Sequence, residues 1–210
     1  MLTYLYDTFY EDSLEGKFNL PIYLSSPLAS KICKLYLEEL RNEEQREKWQ
    51  RVLDWKNLIL LKDFEELEGK LKEGKPAVYC ASAGMMNAGH SIYIASQLLP
   101  KSKNCILFCG YMAEGSLGAK IKSKNTKTIT IDGKPIPARC NIISLVSMSS
   151  HMQHDELLWY YSTFNFDKIA LVHGEFKDKL AFSKELQEEI SKKNKTGKVT
   201  CVNKSTEILL

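Results

Sequence analysis

Three short apolar runs, at 58–61, 76–81 and 105–109, are each followed by a stretch of helical period, and that alternation constrains the chain more than any other feature. Runs of four to six apolar residues are too short for a buried helix and fit strands covered on both faces. Strand, crossover helix and next strand at this spacing build a helix-covered, mostly parallel sheet, so the fold class is α/β. A further strand at 21–25 leads straight into Ser26-Pro27, a serine cap with proline in the first helical turn. Behind it Leu28, Ile32 and Leu35 recur at helical spacing, and the almost wholly charged segment 41–51, interrupted by Trp49, reads as an exposed helix face. Helices are expected at 63–71, 88–99 and 116–121. Residues 1–20, aromatic and acidic without a clean period, read as an arm or partial element.

The texture changes from residue 126. The segment Thr128-Ile-Thr-Ile alternates, Asp132-Gly133 marks a hairpin turn, and 136–145 continues as a second extended segment. A helix at 154–164, a strand at 168–172, a helix at 177–192 and closing strands at 198–202 and 208–210 complete the expected order.

With 210 residues, 44% of them apolar, the chain can bury a real core, which excludes disorder as its main state. Its apolar runs fall far short of the roughly 20 residues a membrane-spanning helix needs. Asp7, Glu11, Asp12 and Glu15 leave no signal-peptide pattern near the start, so a cytoplasmic protein is expected. The six cysteines form no CxxC pair and read as buried free thiols of a reducing compartment. A net charge of +3 is small but uneven, since 101–134 carries seven lysines, Lys120, Lys122 and Lys124 among them, against Glu114 and Asp132.

In such a sheet ligands collect where strands end and helices begin. Three junctions qualify. Ser82-Ala-Gly84-Met85-Met-Asn87-Ala-Gly89-His90 follows the 76–81 run, and its glycines allow close backbone approach to a phosphate, although it is neither a Walker loop nor GxGxxG. Gly110-Tyr111-Met-Ala-Glu114-Gly115-Ser116-Leu-Gly118 follows the 105–109 run and leads into the lysines, a pairing that suits a phosphodiester. The third junction is a pair of histidine loops, 149–157 with His151 and His154, and 171–175 with His173 at a strand end where a metal ligand could project. Spacing supplies no His-x-His cluster, whereas zinc normally needs three or four protein ligands.

Taken in order, these segments resemble the metallo-β-lactamase-fold β-CASP nucleases, the family of RNase J and the pre-mRNA 3′-end cleavage endonuclease. The resemblance runs from Pro21-Ile-Tyr-Leu-Ser-Ser-Pro past Val172-His-Gly-Glu175. It implies a β-CASP portion at 1–122, and at 123–210 an RNA-specificity segment that returns to the strands and helices of a metallo-β-lactamase αββα core. It also implies that His151 is a catalytic general acid and His173 a zinc ligand. Ser82, Gly84, Met85, Gly110, Tyr111, Glu114, Gly115, Ser116 and Gly118 would line an RNA groove. Two departures stand out: Gln153 replaces the family aspartate two positions after His151, and Ala83 replaces a serine before Gly84-Met85. HxHxDH, the other zinc ligands and the motif A acid do not occur in this sequence. In the family they belong to an N-terminal metallo-β-lactamase portion, so the two zinc ions of a complete enzyme are not expected to bind this chain alone.

The expected function is therefore the C-terminal part of a zinc-dependent ribonuclease, inactive by itself and completed by that portion in cis or in trans. Its partners would be RNA and the missing domain, with a homodimer as a further association through an apolar face left bare. The competing reading is a non-catalytic RNA-binding or assembly subunit derived from such a nuclease. A small-molecule α/β hydrolase has no GxSxG elbow to support it.

Overall fold

The N-terminal residues form a full helix, Leu2–Leu14 (α1), where an arm or partial element was expected. Leu2, Leu5, Tyr6, Phe9, Tyr10 and Ser13 recur at helical spacing and face the core, so the period was present but after Leu5 is written in rings and a serine rather than aliphatics. Tyr6 meets the Trp55 indole edge-on at 5.7 Å, and Phe9 stacks on Phe18 at 4.4 Å. Ser13, also buried, is satisfied because its hydroxyl donates to Tyr10 O and accepts from Trp55 Nε1.

The computed structural model describes residues 1–123, 125, 127–145, 148 and 151–203, in two compact units, Met1–Ser149 and Ser150–Leu210. Ser149, Ser150, Lys124 and the expected strand at 208–210 lie outside the described residues. Within the first unit, Ile22–Leu24 (β1) is the centre of a parallel sheet, flanked by Leu58–Leu60 (β2) and Val78–Cys80 (β3). Between these strands run Pro27–Glu39 (α2), Glu43–Leu53 (α3) and Phe64–Glu73 (α4). Ser26, Asn42 and Asp63 cap them, each accepting from a backbone N–H in the first turn. The charged segment is helical as expected, yet Trp49 is buried and its Nε1 donates to Cys33 O at 2.9 Å. Conversely Leu28, Ile32 and Leu35 leave 64%, 52% and 55% of their surface exposed, so the α2 stripe is no part of this core.

His90–Leu98 (α5), Cys105–Phe108 (β4) and Leu117–Lys122 (α6) follow, and Thr128–Ile131 (β5) pairs antiparallel with Lys134–Pro137 (β6). Asp132 and Gly133 both have positive φ, 49° and 75°, the geometry that two-residue hairpins favour. The extended segment expected at 136–145 is instead split. After β6 the chain breaks away, and Asn141–Ser144 (β7) pairs parallel with β4.

The second unit is smaller. His154–Thr163 (α7) and Phe176–Lys192 (α8) accompany a parallel pair, Lys168–Leu171 (β8) and Lys198–Cys201 (β9), over a core of Ile169, Leu186 and Ile190. The α/β class with mostly parallel pairing thus holds among the described residues. The cysteines are all free, but only Cys33 is fully buried and Cys105 is exposed, which corrects the expectation of six buried thiols. Among the described residues no helix is long and apolar enough to cross a membrane.

Candidate nucleic-acid interface and histidine loops

Because β1 and β3 are parallel neighbours, their C-terminal ends open on the same edge, and Ser25-Ser26 stands beside Ala81-Ser82 there. Ser25 N donates to Cys80 O at 2.8 Å and extends the pairing by one residue. Two side-chain bonds then lock the strand ends. Ser26 Oγ lies 2.6 Å from Ser82 Oγ, and Ser25 Oγ lies 2.8 Å from His90 Nδ1 at the start of α5. Ser91 Oγ donates to Ala83 O and fastens the Ser82–Gly89 loop to the same helix.

That loop interlocks with the second glycine-rich one. Gly118 N donates to Met85 O at 3.0 Å, and a Cβ on Gly118 would stand 3.1 Å from Met85 O and 3.2 Å from Gly84 O. Even a methyl group there would force the two backbones to give by a few tenths of an ångström. Ser116 spends its hydroxyl as the α6 cap, accepting from Ala119 N, and is buried. Of the expected groove residues, Ser116 and Gly118 therefore shape the loops, Met85 and Gly110 are half-buried, and Ser82, Gly84, Glu114 and Gly115 reach solvent. Tyr111, 69% exposed, is the largest side chain offered to a ligand there. Lys120 and Lys122 follow on the last turn of α6. Burial pushes the Cys80 thiol up to about 11 and raises that of Cys109, so neither supplies a thiolate at neutral pH.

In the second unit both expected histidines are exposed, on the loops ahead of α7 and behind β8. His173 has φ +62° and Gly174 φ +99°, a left-handed turn that costs a non-glycine residue energy and is commonest where a site dictates it. Gln153, standing where the family has aspartate, is the N-cap residue of α7. Its backbone N donates to Glu156 Oε2 at 2.7 Å, and its Nε2 donates to His151 O at 3.4 Å. The carboxylate organising this loop is thus Glu156. His154, absent from the expected site, has Nδ1 at 2.9 Å from Asp155 and Nε2 at 3.0 Å from Glu185 on α8. The Asp155 hydrogen bond, aided by the Glu185 charge, raises its pKa.

The described residues bring no three His, Cys, Asp or Glu side chains together to hold a metal ion. His154 is occupied on both ring nitrogens. On their own the described residues do not fit a zinc centre.

Sequence reasoning missed Ser25, named His154 in the histidine loop without a role, and gave His90 only as an extra side-chain bond. The signal for Ser25 was its place just past an apolar run, beside the helix-capping Ser26.

The chain matches two family descriptions in succession, the Beta-Casp domain over residues 1–121 and the Zn-dependent metallo-hydrolase RNA specificity domain over residues 135–196. It belongs to the β-CASP family. Among its relatives are the transcription termination factor FttA of Methanocaldococcus jannaschii, 33% identical over 80% of this chain and 28% of that protein, and a ribonuclease of Thermus thermophilus, 31% identical over 78% and 38%. The endoribonuclease YSH1 of Saccharomyces cerevisiae is 29% identical over 76% of this chain and 21% of its own length. The chain thus spans well under half the length of each of these relatives.

Proposed function

We propose that this chain is the RNA-binding and acid-supplying part of a ribonuclease, with 1–122 as the β-CASP portion and 123–210 as the RNA-specificity portion. The observation that carries the reading is the interlock of the two glycine-rich loops through Gly118 and Met85, which presents backbone and Tyr111 to solvent just ahead of Lys120 and Lys122. Backbone surfaces of this kind approach phosphates closely, and lysines add sequence-independent attraction to the polymer. In the second unit His151 would act as general acid, giving its proton to the departing ribose oxygen as an incoming water oxygen forms a new bond to phosphorus and the P–O bond to the ribose breaks. His173 would be this chain's contribution to a two-zinc centre whose other ligands come from a metallo-β-lactamase portion in cis or in trans. The protein would work in the cytoplasm.

The names of the relatives support RNA as the substrate class. The glutamine at 153 and the missing zinc ligands favour a second reading, a non-catalytic RNA-binding or assembly subunit, because the carboxylate expected two positions after His151 is replaced. His173→Ala separates the two. When the chain is combined with a metallo-β-lactamase portion, the nuclease reading expects metal-dependent cleavage of labelled RNA to collapse in the variant while RNA affinity hardly changes. Absence of any cleavage by the wild-type combination, with RNA still bound, would establish the second reading instead.

A further inference from the structure

At the C-terminal mouth of β2, β1 and β3 stands an aromatic group that none of the loops above uses. Phe64, the first residue of α4, stays 43% exposed although its ring packs on two others, edge-on to His90 at 5.5 Å and tilted against Tyr93 at 4.8 Å between centroids. Both supporting rings are tethered. Fully buried Ser25 holds His90 Nδ1 at 2.8 Å, and the Tyr93 hydroxyl donates to Glu68 Oε1 at 3.1 Å. A lone exposed apolar side chain is ordinary. Here the exposed ring is backed by two fixed rings at the strand ends, where parallel sheets take ligands, and His90 directly follows the Ser82–Gly89 loop.

We propose that Phe64, backed by His90 and Tyr93, is a stacking platform for an unpaired RNA base. The inference rests on the RNA-binding reading of the neighbouring loop. It adds that the first unit takes single-stranded RNA and reads strandedness rather than sequence, since every base has a π face. Charge sets the direction of the strand. On the α4 side Asp63 accepts from Glu66 N at 2.9 Å and Glu66 from Lys62 N at 2.8 Å, and with Glu65 these carboxylates repel a phosphate. Away from α4, His90 opens α5 directly behind the Ser82–Gly89 loop, in which Ser82 reaches solvent. The base therefore lies toward α4 and its phosphate toward the Ser82–Gly89 loop.

The test measures fluorescence anisotropy of the whole 210-residue chain with an oligouridine of about 15 nucleotides, a length within the span of a single-strand binding site, and with a duplex RNA of the same length. Phe64→Leu keeps the contact with His90 and Tyr93 but has no π face, so single-strand affinity should fall roughly 5- to 150-fold. Its salt dependence and duplex binding should stay unchanged. Phe64→Trp should restore the affinity. Equal single-strand binding by the Leu and Trp variants overturns the platform. If Lys120→Ala still weakens the wild-type complex in that case, the RNA-binding reading stands without it. A wild-type chain that binds neither RNA overturns both.

Discussion

Replacing Gly118 by alanine places a methyl group where two loops already touch, and the magnitude can be worked from the contacts. The added Cβ would lie 2.7 Å from Met112 Sδ, 3.1 Å from Met85 O and 3.2 Å from Gly84 O. The thioether can swing aside, but the two carbonyls belong to the backbone of the opposing loop and must shift by a few tenths of an ångström. Overpacking of this kind costs about 1–3 kcal/mol. Against it stands the helix propensity of alanine, up to about 1 kcal/mol and less near a helix start such as α6. The net expectation is destabilisation of about 1–2 kcal/mol, together with weakened RNA binding because the Ser82–Gly89 loop is displaced. Gly69→Ala is the matched control. It lies inside α4 with nothing within 4 Å of an added Cβ, so the same substitution should stabilise by about 0.5–1 kcal/mol and leave RNA affinity alone. Urea unfolding and anisotropy titration of both variants decide the matter. If Gly118→Ala shifts stability in the same direction as Gly69→Ala and binds RNA like the wild type, the interlock does not shape the groove.

Other residues make separate expectations. Gly197→Ala should abolish the β8–β9 pairing, because its Cβ would overlap Phe166 O; loss of amide protection confined to the second unit in hydrogen exchange would show it. Ser26→Ala removes both the α2 cap and the bond to Ser82, whereas Ser82→Ala removes only the latter, so the first should cost about 1–2 kcal/mol in urea unfolding and the second less. The raised pKa of His154 means that its bracket between Asp155 and Glu185 is fully present below the ordinary histidine value and is lost as pH climbs through the raised one. The melting temperature of the second unit should accordingly decline over that interval in the wild type, and the decline should vanish in His154→Ala. Lys195→Ala should lower the same melting temperature at any pH, since its ammonium donates to the carbonyls of Ser162, Thr163 and Phe164 at the end of α7.

Much of the scaffold was legible because strands and helices announce themselves by period and punctuation. Ser26-Pro27 opened α2 as read, and Asp132-Gly133 turned the hairpin as read. The α1 stripe escaped because tyrosine, phenylalanine and a buried serine filled positions where aliphatic residues usually mark a helix face. Period also says which residues share a face without saying what covers it, and so the Leu28–Ile32–Leu35 stripe gave no sign that it would stay exposed. The candidate site divides the same way. The two glycine-rich loops could be named from their residues, but their interlock depends on Gly118 meeting Met85 across a fold, and the Ser25–His90 contact joins residues 65 positions apart through the β1–β3 register. Gln153 was legible only as a departure. The glutamate three residues on carried the capping pattern that explains its place.

The most direct measurement is a photo-crosslinking map, with a 4-thiouridine-containing single-stranded RNA irradiated on the whole chain and the attached peptides identified by mass spectrometry. The account predicts crosslinks on the Ser82–Gly89 loop and on the loop carrying Tyr111. Crosslinks confined to α1 and α3, with both loops untouched, would contradict it.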